Sequence, residues 1–193
     1  MKTTARTFGC RVAAAVGAFA LALVGLGGTT TTARAADLGN IDSGRTGSLL
    51  IHKHESGSQS ADGTPDGQTP SGGAGVADVV FTAYKITNLD LTTQAAWDGL
   101  KNQQVPADAC GADYASPSLG SYTFDGGTAS GSTDAQGDTT IGGLPVAAYL
   151  VCETSAPSTV KTKAAPFLVT VPFPNNSTNA ANGNGEWLYD VNV

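Results

Sequence analysis

Lys53 and Glu153 are the two residues of this sequence whose types and positions best suit covalent chemistry. Lys53 shares a two-residue period with Leu49 and Ile51, and Glu153 shares one with Tyr149. Strand geometry therefore predicts that both charged side chains point into the interior. Isolated buried charges are costly, and burial favours the neutral amine and the neutral acid. This is the condition in which a neutral amine can attack a carboxamide while the acid protonates the leaving nitrogen.

A less reactive arrangement of the same two residues also agrees with the sequence. Lys53 can extend its ammonium group to the rim of the fold, and Glu153 can then form an ordinary ion pair. The alternation pattern is the same in both arrangements. The reactive pair and the ordinary ion pair therefore both stay open at this point.

Short strands are predicted to position these residues, because Gly, Thr, Ala, Ser and Asp dominate the composition over Glu and Lys. Only 88–102 has a helical pattern, with a threonine at 92 or 93 as its cap. Alternating or β-branched segments predict strands at 47–55, 76–86, 121–124, 139–141, 144–154, 165–173 and 187–193. About seven short strands with long polar loops and one short helix are typical of an all-β fold, an immunoglobulin-like antiparallel sandwich.

Two of these strands carry sharper expectations. The strand at 144–154 is predicted to begin after a break at Gly142-Gly143. In the last strand, Trp187, Tyr189 and Val191 share one face with the final residue, Val193. Asn192 falls on the other face and is predicted to point to solvent.

The N-terminus has the features of an export signal. A basic start is followed by an apolar run over 12–26 and by the small-residue pattern Ala33-Arg34-Ala35. Cleavage is predicted between Ala35 and Ala36. The predicted organisation is a signal peptide at 1–35, a flexible lead at 36–46 and one domain at 47–193.

The charge of the exported part excludes one class of partner. Residues 36–193 hold all 16 acidic residues and only six of the ten basic ones, so their net charge is −10. Such a surface repels phosphate backbones, and we expect no binding to nucleic acid.

Two cysteines, Cys110 and Cys152, remain after the predicted cleavage, an even number in an exported chain. They predict a disulfide that closes a long loop and contributes roughly 4 kcal/mol in the chain-entropy model. Parity places Cys152 on the face opposite Glu153. The alternative is a pair of free thiols, one buried and one in a loop.

Other chemistry finds little support. His52 and His54 share a strand face, but the sequence places no third metal ligand beside them, and a solvent-facing pair is the simpler interpretation. The chain contains no Gly-x-Ser-x-Gly, His-Glu-x-x-His or phosphate-binding glycine loop. We therefore expect no turnover enzyme, no cofactor and no metal.

Four segments in order carry a family resemblance. They are Gly-Ser-Leu-Leu-Ile-His-Lys from 47, Val-Val-Phe-Thr-Ala-Tyr-Lys-Ile from 79, Gly-Leu-Pro-Val-Ala-Ala-Tyr-Leu-Val-Cys-Glu-Thr from 143, and Trp-Leu-Tyr-Asp-Val-Asn-Val from 187. Together they resemble the N-terminal domain, of Cna-B type, of the major shaft pilins that sortases assemble in Gram-positive bacteria. One departure is Ala147-Ala148, where the family often has glycine before the tyrosine.

The resemblance implies specific residue roles. Lys53 would match the amine and Glu153 the catalytic acid of an internal Lys–Asn isopeptide bond, although some pilin N-terminal domains lack that bond. In the family a Tyr-Pro-Lys-Asn motif follows the Trp-Leu-Tyr-Asp-Val-x-Val strand, and its lysine is the polymerisation site. The chain is thus expected to stop just before this motif, with the asparagine partner beyond Val193. A chain ending there is expected to form neither covalent link.

The resemblance also implies a biological setting. It predicts a structural subunit of a covalently polymerised cell-surface fimbrium that supports adhesion. The implied partners are other pilin subunits, joined by a class C sortase, the peptidoglycan of the cell wall, and host or bacterial surface receptors. The alternative is a tip or basal pilin, or a carbohydrate-binding adhesin module.

Overall fold

The computed structural model describes residues 41–55, 59–61, 64–67, 71–175 and 186–193, with only the backbone considered at 59–61 and 71–72. These residues belong to the second of two units into which the chain divides, Arg34–Val193. The predicted signal peptide, its cleavage point between Ala35 and Ala36, and positions 36–40 of the predicted lead lie outside the described residues.

Short strands make up most of the regular structure, together with one helix. In chain order the elements are β1 Thr46–His52, β2 Gln59–Ala61, β3 Ser71–Gly72, β4 Val80–Lys85, α1 Gln94–Lys101, β5 Thr128–Ala129, β6 Asp138–Pro145, β7 Ala147–Ser155, β8 Phe167–Val171, β9 Phe173–Pro174, β10 Trp187–Leu188 and β11 Asp190–Asn192.

Two sheets form the framework, and they contain seven of these strands. One sheet has the order β11-β1-β6, and the other has the order β5-β4-β7-β8. Apolar residues from both sheets fill the space between them, including Leu49, Ile51, Ile141 and Val191 from the first and Phe81, Tyr149, Val151 and Val169 from the second. This arrangement is the predicted immunoglobulin-like sandwich.

One pairing departs from the antiparallel prediction. Strand β11 runs parallel to β1, with Leu49 opposite Val191 and Leu50 opposite Asn192. The predicted final strand is also split at Tyr189, because β10 pairs with β9 while β11 joins β1. The predicted face holds only in part: Val191 lies in the core between the sheets, whereas Trp187 packs in a separate cluster and Leu188, expected on the other face, packs against the core.

The predicted break at Gly142-Gly143 is wrong. Strand β6 continues through both glycines to Pro145, and the chain turns at Val146 instead. The register with β1 shifts between Leu49–Ile141 and Gly47–Leu144, and Gly143 has a φ of +71°. The glycine pair therefore forms a β-bulge within the strand, a conformation that glycine adopts easily.

The helix is shorter than predicted, but its cap is the expected one. Thr93 accepts a hydrogen bond from the Ala96 amide through its side chain, which satisfies one free amide of the first turn. Trp97 packs against Trp187 with 5.3 Å between ring centroids. In the part of the chain that the structure describes, no helix is long and apolar enough to cross a bilayer.

Residues 41–46, the described part of the predicted flexible lead, contact the domain at a few points, although residues 42–46 are exposed. Ile41 is buried, and the Asp42 amide donates a hydrogen bond of 2.8 Å to the Tyr189 hydroxyl. The Arg45 guanidinium lies 4.0 Å from the centre of the Tyr189 ring. These contacts join the described part of the lead to Tyr189, and its flexibility stays a prediction.

Candidate functional site

Lys53 lies directly after β1, and two neighbouring segments fix its backbone. Its amide donates to the Gly137 carbonyl at 2.8 Å, and its carbonyl accepts from the Val76 amide at 2.9 Å. Gly137 has a φ of +85°, and a Cβ atom there would lie 2.0 Å from the Lys53 carbonyl oxygen. Because only glycine allows this approach, the turn at 137 helps to hold Lys53 in the alternation set by Leu49 and Ile51.

Glu153 belongs to β7, where every residue from Ala147 to Glu153 is buried. Its Oε2 atom accepts a hydrogen bond of 2.8 Å from the Ala164 amide. Its Oε1 atom is buried and has no hydrogen-bond partner among the residues that the structure describes. An unpartnered buried oxygen costs stability, so this atom marks a position where a further donor would be favourable.

The structure brings Lys53 and Glu153 together across the two sheets. Nζ of Lys53 lies 3.0 Å from Oε2 of Glu153, and the two side chains are 15% and 0% exposed. The lysine therefore does not extend freely to the rim. A pair so shielded from water interacts strongly, and removal of either partner leaves a buried charge without compensation.

The predicted cysteine pairing is present. Cys110 and Cys152 form a disulfide with 5.9 Å between their Cα atoms, and it links β7 to the irregular segment before Gly111. Cys152 packs in a cluster with Tyr84 and Leu150, apart from the core that surrounds the Lys53–Glu153 pair. The disulfide thus supports the strand that carries Glu153 from the other side of the sheet.

The two histidines lie in different surroundings. Nδ1 of His52 is 2.7 Å from a carboxylate oxygen of Asp138, and its Nε2 is 3.0 Å from the Asn192 carbonyl oxygen. Nδ1 of His54 instead lies 3.3 Å from the Gly73 carbonyl oxygen. Among the residues that the structure describes, no group of three potential ligands is arranged for a metal ion.

The prediction that Asn192 points to solvent is wrong. Its side chain is half-buried because it contacts His52 and donates a hydrogen bond of 3.4 Å to the Pro65 carbonyl. Burial lowers the pKa of His52, but the hydrogen bonds to Asn192 and Asp138, together with the charge of Asp138, outweigh it and raise the pKa above 6.5. His52 therefore ties β1 to both β6 and β11.

Sequence reasoning missed Ala164, which contacts the pair, and the nearby contact between Lys163 and Tyr114. Ala164 supplies its amide to Glu153, and Lys163 lies with its ammonium 4.0 Å from the centre of the Tyr114 ring. All three residues are in irregular segments, where neither a two-residue nor a helical period indicates which side chains meet. No signal in the single sequence points to them.

The fold and the site define a class of protein: an immunoglobulin-like sandwich domain with an amine and an acid paired in its interior and a disulfide in one sheet. Residues 44–193 match the family described as Gram-positive pilin subunit D1, N-terminal domain, and the chain belongs to this family.

Individual relatives agree with this assignment. The chain is 44% identical over 200 residues to fimbrial subunit type 2 of Actinomyces naeslundii, a match that covers 100% of this chain and 36% of that protein. The structure of the fimbrial protein FimP of Actinomyces oris is similar with a TM-score of 0.56 and 30% identity, over 79% of this chain and 30% of that one. The structure of the full-length major pilin SpaD of Corynebacterium diphtheriae is similar with a TM-score of 0.52 and 29% identity, over 79% of this chain and 32% of that one. The chain thus spans about a third of the length of these relatives.

Proposed function

We propose that this chain is the N-terminal domain of a structural subunit of a covalently polymerised cell-surface pilus. Family membership supports a pilin, and the relatives named above are fimbrial or pilin proteins. The observation that carries the more specific chemistry is the 3.0 Å contact between Lys53 and Glu153 in the interior. The proposed role is structural, without turnover of a substrate.

Lys53 and Glu153 are proposed to form an internal isopeptide bond with an asparagine. A proton passes from the Lys53 ammonium to Glu153, and the free electron pair of Nζ attacks the carboxamide carbon. Glu153 then protonates the leaving nitrogen and takes the remaining proton from Nζ. One carbon–nitrogen bond forms, one breaks, and one ammonia is released. A low-dielectric site favours the first step because it disfavours both charged forms.

The unpartnered Oε1 atom of Glu153 supports this assignment. Oε2 already faces two donors, the Lys53 ammonium and the Ala164 amide. A carboxamide entering the site would bring N–H groups that can donate to Oε1, for which the described part of the chain offers no other donor. The incoming asparagine would therefore complete the hydrogen bonding of the buried acid.

The parallel pairing of β1 and β11 supports a position for the asparagine. Leu49 faces Val191, and each further residue along β1 faces one further residue along β11. If this register continues, an inward position beside Lys53 lies two residues past Val193 and the next inward position lies four residues past it. A family-type Tyr-Pro-Lys-Asn sequence would then direct its asparagine inward and its lysine outward. The outward lysine would be available to a class C sortase for linkage to another pilin subunit, and the finished fibre would be attached to cell-wall peptidoglycan.

The proposal is tested on the chain extended after Val193 by Tyr-Pro-Lys-Asn. Intact-mass analysis is expected to show loss of one ammonia, and tandem mass spectrometry should locate a peptide that joins Lys53 to the asparagine. Lys53→Met and Glu153→Gln should keep the full mass, whereas Lys161→Met, at an exposed lysine outside the pair, should still lose ammonia. A mass without the loss of ammonia in the folded wild-type domain would contradict the internal bond.

Polymerisation needs a separate measurement. Incubation of the extended chain with a class C sortase and a peptide carrying a sorting signal should yield a conjugate at the motif lysine. Replacement of that lysine by arginine should abolish the conjugate without altering the internal bond. A conjugate formed equally well by the arginine variant would contradict the assigned polymerisation site.

A further inference from the structure

The segment that follows Cys110 is held in an unusual conformation. Tyr114 has a φ of +60°, which an aromatic residue rarely adopts. The Asp113 carboxylate accepts from the Ala115 amide at 3.0 Å and from the Ser116 hydroxyl at 2.9 Å, and so closes the turn. These contacts fix the direction of the Tyr114 ring.

The Tyr114 ring faces Lys163. The Lys163 ammonium lies 4.0 Å from the ring centre and donates a hydrogen bond of 3.0 Å to the Thr154 carbonyl. Within the described ranges, no carboxylate forms a salt bridge with Lys163. Its ammonium is therefore held by an aromatic face and by the residue that follows Glu153.

These contacts, together with covalent bonds, form a closed path that begins and ends at Glu153. Glu153 follows Cys152, whose disulfide to Cys110 anchors the turn that carries Tyr114. Tyr114 holds Lys163, and the next residue, Ala164, donates its amide to Oε2 of Glu153. The path returns to Glu153 through covalent bonds and two short contacts, the cation–π contact of Lys163 and the hydrogen bond from Ala164. The amide that orients Glu153 is thus fixed indirectly by the Lys163 side chain.

We propose that Lys163 is a positioning residue for the internal cross-link and that it acts through the Ala164 amide on Glu153. This inference rests on the proposed function. The Lys163 ammonium contacts the Tyr114 ring and the Thr154 carbonyl; its role is to hold the segment that directs the carboxyl group toward Lys53. Loss of its charge should leave the acid less well oriented when the carboxamide enters.

The test measures the rate of ammonia release in the chain extended by Tyr-Pro-Lys-Asn, started by refolding from denaturant. Lys163→Met keeps the length of the side chain but removes the charge, and the release rate is expected to fall about tenfold, as the loss of a half-buried cation–π contact implies. Lys163→Arg keeps both the charge and the stacking, and should restore a rate close to that of the wild type. Tyr114→Phe should behave like the wild type, and Tyr114→Leu like Lys163→Met.

A second readout separates positioning from general stability. In the 193-residue chain, the Ala164 amide proton should resonate downfield because it donates to a carboxylate, and this shift should be lost in Lys163→Met and kept in Lys163→Arg. If the wild type releases ammonia and Lys163→Met does so at the same rate, the positioning role is overturned and the proposed function stands. If the folded wild type releases no ammonia, the proposed function is overturned and the positioning role with it.

Discussion

Cys152 and Glu153 are consecutive residues of β7, yet their side chains lie on opposite faces of the four-stranded sheet. Cys152 bonds to Cys110 on one face, and Glu153 meets Lys53 between the sheets on the other. Because a strand alternates its side chains, one short segment anchors both a disulfide and a buried ion pair. The effect on stability of removing the ion pair can therefore be compared with the effect of removing the disulfide on the other face of the same strand.

Removal of Lys53 alone should be costly. Lys53→Met leaves the fully buried Glu153 carboxyl without its partner, and the free energy of unfolding of the 193-residue chain should fall by about 3–5 kcal/mol. Urea denaturation at neutral pH measures this change. The double variant Lys53→Met/Glu153→Leu should recover most of the loss, because no buried charge remains. A double variant that is no more stable than the single one would contradict this account.

Loss of the disulfide should weaken the fold. Cys110→Ala/Cys152→Ala removes a link between residues separated by 42 positions, and the free energy of unfolding should fall by about 2–4 kcal/mol. Thermal unfolding with and without a reducing agent provides the measurement. The wild type should respond to the reductant, whereas the double variant should not; equal responses would show that the cysteines are not paired.

His52 should make stability depend on pH. Its pKa is raised in the folded state, so its contribution is fully present below the unfolded value near 6.5 and is lost as pH rises through the folded value. Asp138 is 49% exposed, so solvent weakens the pair, and the stability of the wild type relative to His52→Gln should fall by about 0.5–1 kcal/mol from acidic to alkaline pH. Denaturation of both proteins across the pH range tests this, and a constant difference would contradict it.

Gly47 should not tolerate a side chain. A Cβ atom there would lie 2.0 Å from the Tyr189 carbonyl oxygen and 2.7 Å from a methyl group of Val171. Gly47→Ala should therefore push β1 and the last strand apart and lower the free energy of unfolding by about 1–3 kcal/mol. Gly142→Ala is the matched control, because among the described residues nothing except its two chain neighbours comes within 4 Å of the Cβ position. Equal stability of the two variants in urea would contradict the close approach at Gly47.

Strand alternation made the inward placement of Lys53 and Glu153 predictable, because it is a local property of each segment. It could not reveal that β11 runs parallel to β1, since the partner of a strand depends on residues far away in the sequence. The glycine pair at 142–143 shows a second limit: glycine indicates unusual backbone geometry but does not distinguish a bulge from the end of a strand.

Polar contacts outside the strands were harder to predict. The contacts of Asn192 with His52 and Pro65 depend on a loop that the alternation pattern does not describe. Tyr114 and Lys163 meet because a turn with positive φ directs an aromatic ring to one side. Such turns are set by hydrogen bonds among neighbouring residues, and a single sequence gives little indication of where the ring will point.

The parallel pairing of β1 and β11 also has a mechanical consequence. A force applied at Val193 acts along the axis of β11. The backbone of Val193 forms hydrogen bonds of 2.9 Å with Leu50 and with His52, and these bonds lie across that axis. These bonds are therefore loaded in shear and must fail together, whereas the edge of a hairpin pulled sideways would unzip one bond at a time. The last strand thus resists tension through its hydrogen bonds alone.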